Sequence, residues 1–155
     1  MDRCKPMETP LATNWRKEDA TSCEEEDAII YRKLVGSLMY LVKTWPDMCY
    51  AVKKLSQAVV RPAKLFCRVG KHVLWYLRGT TQFGLWYRQK EGVKLCGFID
   101  ANWVGSPLDW KTTSSGIFSV GSIVVSWYNT KQRYVALNTE KVEYMANNQA
   151  TCEVI

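Results

Sequence analysis

The sequence predicts an α+β protein in which helices come first and strands follow. Apolar residues recur at helical spacing between residues 24 and 79, and the period changes to two from about Phe83 onward. The last stretch, Asn138 to Ile155, again has a helical composition. These observations predict three short helices in series, then antiparallel strands, and then one closing helix.

Size and composition set broad limits on function. A chain of 155 residues suits one domain with its own core, or a piece of a larger protein. A hydrophobic content of 47% is ordinary for a globular protein. The net charge of +6 mildly favours a polyanionic partner such as nucleic acid, but no block of Lys and Arg is dense enough to be a binding arm.

Cysteine and hydropathy patterns bear on redox state and location. The six cysteines are scattered without a C-x-x-C pair, and His72 is the single histidine, so we expect reduced, mostly buried thiols and no zinc site. No secretory signal is readable at the start, and the longest apolar patch, Leu34 to Val42, is too short to span a bilayer. The sequence therefore predicts a cytoplasmic or nuclear protein with no membrane partner.

The first helix is predicted to follow a loose tail over residues 1–23. Glu24-Glu25-Glu26-Asp27 supplies negative charge where that helix begins, which suits the positive end of the helix dipole. Thr44 is predicted to cap the second helix, with Pro46 in its first turn and Asp47 in a capping-box position.

A third helix is predicted after the Arg61-Pro62 break, running from about Ala63 to Arg78 and closed by Gly79. Beyond it, Gly84 to Arg88 and Val93 to Asp100 are predicted to form a hairpin around Glu91-Gly92.

Two more strands, Gly116 to Val120 and Ser122 to Tyr128, are predicted around Gly121. The closing helix has Asn138 or Thr139 as its N-cap. Its small-residue stripe, which suits close packing on a sheet, is predicted to consist of Glu143, Ala146, Ala150 and Val154.

Asp100 is the first candidate functional residue. It ends the strand Val93 to Asp100, whose residues alternate in the period of a pleated strand, and Ala101-Asn102-Trp103 follows it. A strand-end acid in this context is either a functional carboxylate or a solvated side chain, and the local pattern alone leaves both interpretations open.

Ordered motifs along the whole chain resemble the C-terminal part of Ty1/copia-type retrotransposon polyproteins, where the reverse transcriptase tail runs into RNase H. The matching stretches include Tyr31-Arg32-Lys33-Leu34-Val35-Gly36-Ser37-Leu38, Tyr76-Leu77-Arg78-Gly79-Thr80, Asp100-Ala101-Asn102-Trp103, Thr112-Thr113-Ser114-Ser115-Gly116, Val125-Ser126-Trp127, Lys131-Gln132 and Glu143-Tyr144-Met145-Ala146.

The resemblance implies a fold and a domain organisation. It implies a loose tail over 1–23, a helical reverse transcriptase-tail-like segment over 24–80, and a truncated RNase H-like β-β-β-α unit over 81–155. In the family, a carboxylate ending the first strand and one on the first helix help to hold two magnesium ions for phosphodiester hydrolysis. Asp100 and Glu143 occupy those two positions.

Several departures from the family pattern predict that this site is vestigial. Asn102 stands in the usual second acidic place, and Lys141 places a positive charge two residues before Glu143. The family's third catalytic Asp lies on a strand after the first helix, whereas this sequence ends at Ile155. Glu153 lies about 1000° further around the helix than Glu143 and cannot substitute. We therefore expect no enzyme activity, weak magnesium binding at most, and no other cofactor.

Three classes of function remain open. The first is an inactive retroelement remnant that contacts a self or host protein through an exposed helix face. The second is a residual magnesium-dependent nuclease of RNA–DNA hybrids, or a weak nucleic-acid binder. A nucleic-acid binder would carry aromatic residues on its surface, and the candidates are Trp15, Trp75, Trp86, Trp103 and Trp110. For these residues, packing in the core is the favoured interpretation.

The third class is a secreted RxLR-type effector of an oomycete plant pathogen, which the sequence also resembles. Such proteins enter host plant cells and alter defence or cell death. The motif support is poor, because the nearest match is Trp75-Tyr76-Leu77-Arg78 and Trp stands in the first Arg place. Arg32-Lys33-Leu34-Val35 fails at its last place, and both strings fall in predicted helices.

Overall fold

A computed structural model describes residues 4–12, 24, 26–87, 94–102 and 110–155, except for the side chain of Asn102. The chain divides into two compact units, Met1–Gly84 and Leu85–Ile155, which we call the helical unit and the sheet unit. Helices come first and strands follow, so the predicted α+β class is confirmed.

Three α-helices form the helical unit, as predicted from the apolar spacing. They are α1 (Ala28–Leu41), α2 (Cys49–Ser56) and α3 (Lys64–Gly79), and a short 3-10 turn (Pro46–Met48) leads into α2. Asp27 caps α1, since its Oδ1 accepts hydrogen bonds from the backbone nitrogens of Ile29 (2.7 Å) and Ile30 (3.4 Å).

The capping box predicted at Thr44 is wrong. The Thr44 hydroxyl donates backwards to the carbonyl of Leu41 at 3.0 Å and so closes the end of α1. Trp45 precedes the 3-10 turn without a side-chain cap. The Asp47 carboxylate accepts a hydrogen bond from the Tyr76 hydroxyl, which ties the turn to α3.

The core of the helical unit is apolar and continuous across all three helices. Tyr31 spans it, because its hydroxyl donates to the carbonyl of Leu55 at 2.8 Å. Burial raises the pKa of this phenol well above its usual range. The buried members are Tyr31, Val35, Leu38, Met48, Ala51, Val52, Leu55, Ala58, Ala63, Phe66, Val69, Val73 and Tyr76.

The sheet unit contains β1 (Leu95–Asn102), β2 (Thr113–Val120), β3 (Ile123–Lys131) and α4 (Thr139–Val154). The strands form an antiparallel sheet in the order β1-β2-β3. Gly121 makes the turn between β2 and β3 with a φ of 64°, a conformation that glycine adopts without strain. The two strands predicted around Gly121 are confirmed.

The strand predicted over Gly84 to Arg88 is wrong for the residues that the structure describes there. Residues 84–87 have no regular secondary structure. Trp86 is 81% exposed, so this segment gains no burial of its indole that would favour a strand. β1 pairs with β2 along its whole length, from Leu95 opposite Val120 to Asn102 opposite Thr113. Arg88 and the predicted Glu91-Gly92 turn lie outside the described residues.

Helix α4 packs against β1 and β2 through small side chains. Its N-cap is Asn138, whose Oδ1 accepts from the backbone nitrogen of Lys141 at 2.9 Å. Ala146 and Ala150 are buried as predicted, but Val142 completes their stripe, whereas Glu143 and Val154 are exposed.

The described cysteines are in the thiol form. Cys4, Cys49, Cys67 and Cys96 are half-buried and Cys152 is exposed, so they are less buried than predicted. Within the described ranges, none of the helices combines the length and the apolarity that crossing a bilayer requires.

Candidate functional site

The side of the sheet that α4 covers is identified by two glutamine side chains. The Gln132 amide nitrogen donates to the Ser114 hydroxyl at 2.8 Å and to the carbonyl of Val142, in α4, at 3.1 Å. The Gln149 amide, also on α4, donates to the Thr130 hydroxyl at 2.6 Å. Because Ser114 and Thr130 are register partners, α4 lies on their side of the sheet.

Asp100 belongs to the opposite side of the sheet. It pairs with Ser115, whose neighbours Ser114 and Gly116 are buried on the α4 side. Paired residues in antiparallel strands share a side, and successive residues alternate. We call the side of Asp100 and Ser115 the open side, since Asp100 itself is exposed there.

Glu143 is an exposed residue of α4 and directly follows the buried Val142. Among the described residues, the carboxylates of Asp100 and Glu143 take part in no hydrogen bond and no ion pair with each other or with a third side chain. The structure thus places the two predicted ligands on elements that pack together, but it shows no contact between them.

The other acidic positions near Asp100 add little to a metal site. Asn102 is the last residue of β1, and Asp109 lies outside the described residues. In the ranges that the structure describes, no group of three or more His, Cys, Asp or Glu side chains is arranged to hold a metal ion.

Buried polar atoms are concentrated in the sheet unit. The Asn129 amide donates to the Ser115 hydroxyl at 2.8 Å. Within the described structure, four buried polar atoms of this unit lack a hydrogen-bond partner: Thr112 Oγ1, Tyr128 OH, Asn129 Oδ1 and Gln132 Oε1. Burial, with a smaller contribution from the charge of Glu153, raises the pKa of Tyr128.

Several large apolar side chains lie on the surface of the sheet unit. On the open side, Phe98 is 69% exposed and Ile117 is 36% exposed. Trp86 and Trp110 are also exposed, so the expectation of core packing is wrong for them, while Trp75 is half-buried. Trp15 and Trp103 lie outside the described residues.

Comparison with known proteins relates the chain to retrotransposon polyproteins. It is 33% identical to the retrovirus-related Pol polyprotein from transposon RE2 of Arabidopsis thaliana over 97% of its length, and 34% identical to that from transposon TNT 1-94 of Nicotiana tabacum over 100% of its length. The chain spans only 10% and 12% of the length of these two polyproteins.

A shorter relative matches over most of its own length. The secreted RxLR effector protein 161 of Plasmopara viticola is 40% identical to this chain over 126 residues, which cover 81% of the chain and 89% of that protein. No protein-family model matches the sequence. No solved structure matches it either.

Proposed function

Because the chain belongs to the family of retrovirus-related Pol polyproteins from copia-type transposons, we propose that its sheet unit is an RNase H-like domain that has lost metal-dependent nuclease chemistry. In this proposal the chain is no longer an enzyme, and its present role depends on contacts with other macromolecules.

One observation carries the RNase H-like assignment. The sheet unit has the order β-β-β-α, with Asp100 on the first strand and Glu143 on the helix that packs against that strand. These are the two positions that the family resemblance assigns to magnesium ligands. Both acids thus stand at the family's ligand positions, and this supports descent from a nuclease domain.

The donor set argues against retained nuclease chemistry. Mg²⁺ requires near-octahedral oxygen coordination, and two adjacent ions need several carboxylates to offset their charge. The described residues offer Asp100 on the open side and Glu143 on α4, while Asn102 is neutral. These residues do not fit a pair of magnesium ions, so we derive no hydrolytic step from them.

An interaction role is supported by apolar surface that the described residues leave uncovered. Tyr144 is 76% exposed on α4, and Phe98 is 69% exposed on the open side of the sheet. A contiguous exposed apolar patch favours association with a protein partner, and on α4 such a patch would be centred on Tyr144. The partner we propose is a host or self protein that contacts the exposed face of α4.

Hybrid cleavage tests the loss of nuclease chemistry. The full chain is incubated with an RNA–DNA hybrid and Mg²⁺ or Mn²⁺, beside Asp100→Asn and Glu143→Gln, with an active RNase H as the positive control. We expect no cleavage above the blank and no saturable Mg²⁺ binding in calorimetry. Cleavage that disappears in both variants would show a working site and contradict the proposal.

A second candidate function is that of a secreted effector acting inside host plant cells. It rests on the 40% identity to a protein named as a secreted RxLR effector, over 89% of that protein. The string nearest to its motif, Trp75-Tyr76-Leu77-Arg78, lies within α3, and Tyr76 is buried there. Expression in leaves with a cell-death elicitor tests the idea, and unchanged cell death despite accumulation of the protein counts against it.

A further inference from the structure

The positive charge of the chain is concentrated in the stretch that holds its three N-terminal helices and their connections. Residues 28–79 contain ten Lys and Arg and a single acid, Asp47, whereas the rest of the chain contains eleven Lys and Arg and fourteen Asp and Glu. The net charge of +6 therefore arises in this stretch and is partly offset elsewhere. Such asymmetry is typical of a surface for a polyanion.

Within this stretch, α3 arranges its cations in a line. Lys64, Arg68, Lys71, Trp75 and Arg78 are separated by four, three, four and three residues. At 100° per residue these positions stay within about 40° of one line along the helix, over about 21 Å. We call these five residues the basic stripe.

The basic stripe faces away from the core of the helical unit. The buried residues of α3 are Phe66, Val69, Gly70, Val73 and Tyr76. Their mean direction lies about 180° from the stripe around the helix axis. The four cations of the stripe are exposed, and Trp75 is half-buried among them.

The contacts of the basic stripe hold its ends in place. Lys64 forms an ion pair with Glu24, in which both side chains stay more than half exposed. The Arg78 guanidinium donates to the carbonyl of Cys4 at 2.6 Å, so residues near the start of the chain flank the last turn of α3. Arg68 and Lys71 lie between these anchored ends, and α3 itself carries no acid.

We propose that the basic stripe of α3 binds the phosphate backbone of a nucleic-acid duplex, independently of base sequence. A line of about 21 Å spans the length of about six base pairs, and each strand of a duplex carries one phosphate per 3.4 Å of that length. Lys and Arg on such a line contact phosphates and position the protein. The stripe has no Asn or Gln to pair with adenine and no Asp or Glu to accept from cytosine.

A duplex fits the stripe better than a single strand does. Proteins that bind single strands interleave cations with exposed aromatic rings on which bases stack. The one aromatic residue of the stripe, Trp75, is half-buried. The proposed surface does not include Asp100 or Glu143. The binding proposal therefore does not depend on whether the sheet unit has nuclease activity.

Salt-dependent binding of a labelled 16-base-pair DNA duplex to the full chain tests the proposal. Four phosphate contacts predict that log Kd rises with log salt with a slope of about 3.6. The double variant Arg68→Gln/Lys71→Gln is expected to lower this slope by about 1.8 and to weaken binding by about tenfold at low salt. Circular dichroism melting checks that the variant stays folded.

The matched control is Lys94→Gln/Arg133→Gln, which removes the same charge from exposed residues of the sheet unit. It is expected to keep the slope of the parent chain. Equal losses in both variants would reduce the effect to net charge and overturn the proposal. Tighter binding of the single strand would also overturn it, as would equally stripe-dependent binding to phosphatidylserine vesicles or polyglutamate.

Discussion

The helical unit and the sheet unit are stabilised by different kinds of contact. The helical unit buries thirteen hydrophobic residues in one cluster. The buried residues of the sheet unit include Phe118 and small side chains, together with Thr112, Ser114 and Gln132. The first unit therefore depends on apolar volume, and the second on close approach and hydrogen bonding.

Glycines and aromatic rings produce the close approach in the sheet. A Cβ on Gly97 would lie 2.7 Å from the Phe118 ring, and one on Gly116 would lie 2.5 Å from the Tyr128 ring. The two rings themselves pack at 6.4 Å between centroids. Each ring thus fills the space that a side chain on the neighbouring strand would otherwise occupy.

The largest expected effect comes from removing apolar volume from the helical unit. Leu38 is fully buried, so Leu38→Ala should lower the free energy of unfolding by about 2–5 kcal/mol. Urea unfolding followed by circular dichroism measures the change. Met39→Ala, at a neighbouring residue that is 55% exposed, is the control and should change stability by less than about 0.5 kcal/mol. Equal losses would contradict the comparison.

In the sheet unit, adding a single methyl group should be costly. Gly116→Ala pushes against the Tyr128 ring and should destabilise the unit by about 1–3 kcal/mol. Gly36→Ala, where nothing lies within 4 Å of the new Cβ, should instead stabilise α1 by about 0.5–1 kcal/mol. Thermal unfolding distinguishes the two, and a neutral Gly116→Ala would show that the ring moves freely.

A smaller effect concerns the buried phenol of Tyr76. Burial and the hydrogen bond to Asp47 raise the pKa of Tyr76 from 10.0 to about 12. The folded chain then keeps this proton to higher pH than the unfolded chain. The resulting stability is present below pH 10 and is lost as pH rises through about 12.

Tyr76→Phe should therefore flatten the fall in unfolding free energy between pH 10 and 12, and should cost about 1 kcal/mol at neutral pH. Urea titrations at several pH values measure both effects. Tyr40→Phe replaces a hydroxyl on a residue that is 76% exposed and serves as the control. An unchanged slope in Tyr76→Phe would exclude Tyr76 as a source of the pH dependence.

The smallest effect is expected at the exposed indoles. Trp86 is 81% exposed and Trp110 is 61% exposed, so changing either to Ala should alter stability by no more than about 0.5 kcal/mol. Denaturation midpoints measure the change in stability. The tryptophan fluorescence of each variant is lower because one indole is missing. A large loss at either position would contradict the exposure of that indole.

Periodicity predicted the fold because burial follows it in α1 and in β2. The apolar spacing of Tyr31, Val35 and Leu38 matches the buried side of α1, and the change to period two matches the sheet. The cap at Thr44 was predicted wrongly because a hydroxyl at a helix end can also donate backwards to the preceding turn. The strand over Gly84 to Arg88 was predicted wrongly because a local pattern does not supply a strand partner.

The sequence likewise predicted only part of the candidate site. Their order along the chain indicated Asp100 and Glu143, but the side of the sheet that Asp100 occupies depends on the register between β1 and β2, which local pattern does not determine. The basic stripe escaped notice because its cations are three or four residues apart. Counting cations by helical position, instead of by adjacency in the sequence, would have found it.

Gln132 ties the connection between β3 and α4 to the strands and to the helix. Its backbone nitrogen donates to the carbonyl of Thr112 at 2.8 Å. Its side-chain amide donates hydrogen bonds to both β2 and the first turns of α4. The residues that follow include the exposed Tyr134 and Leu137, which are open to a protease. A nick there would leave the helix clamped by the glutamine amide and by its buried alanines. The severed segment would stay in place as a bound peptide and would not diffuse away.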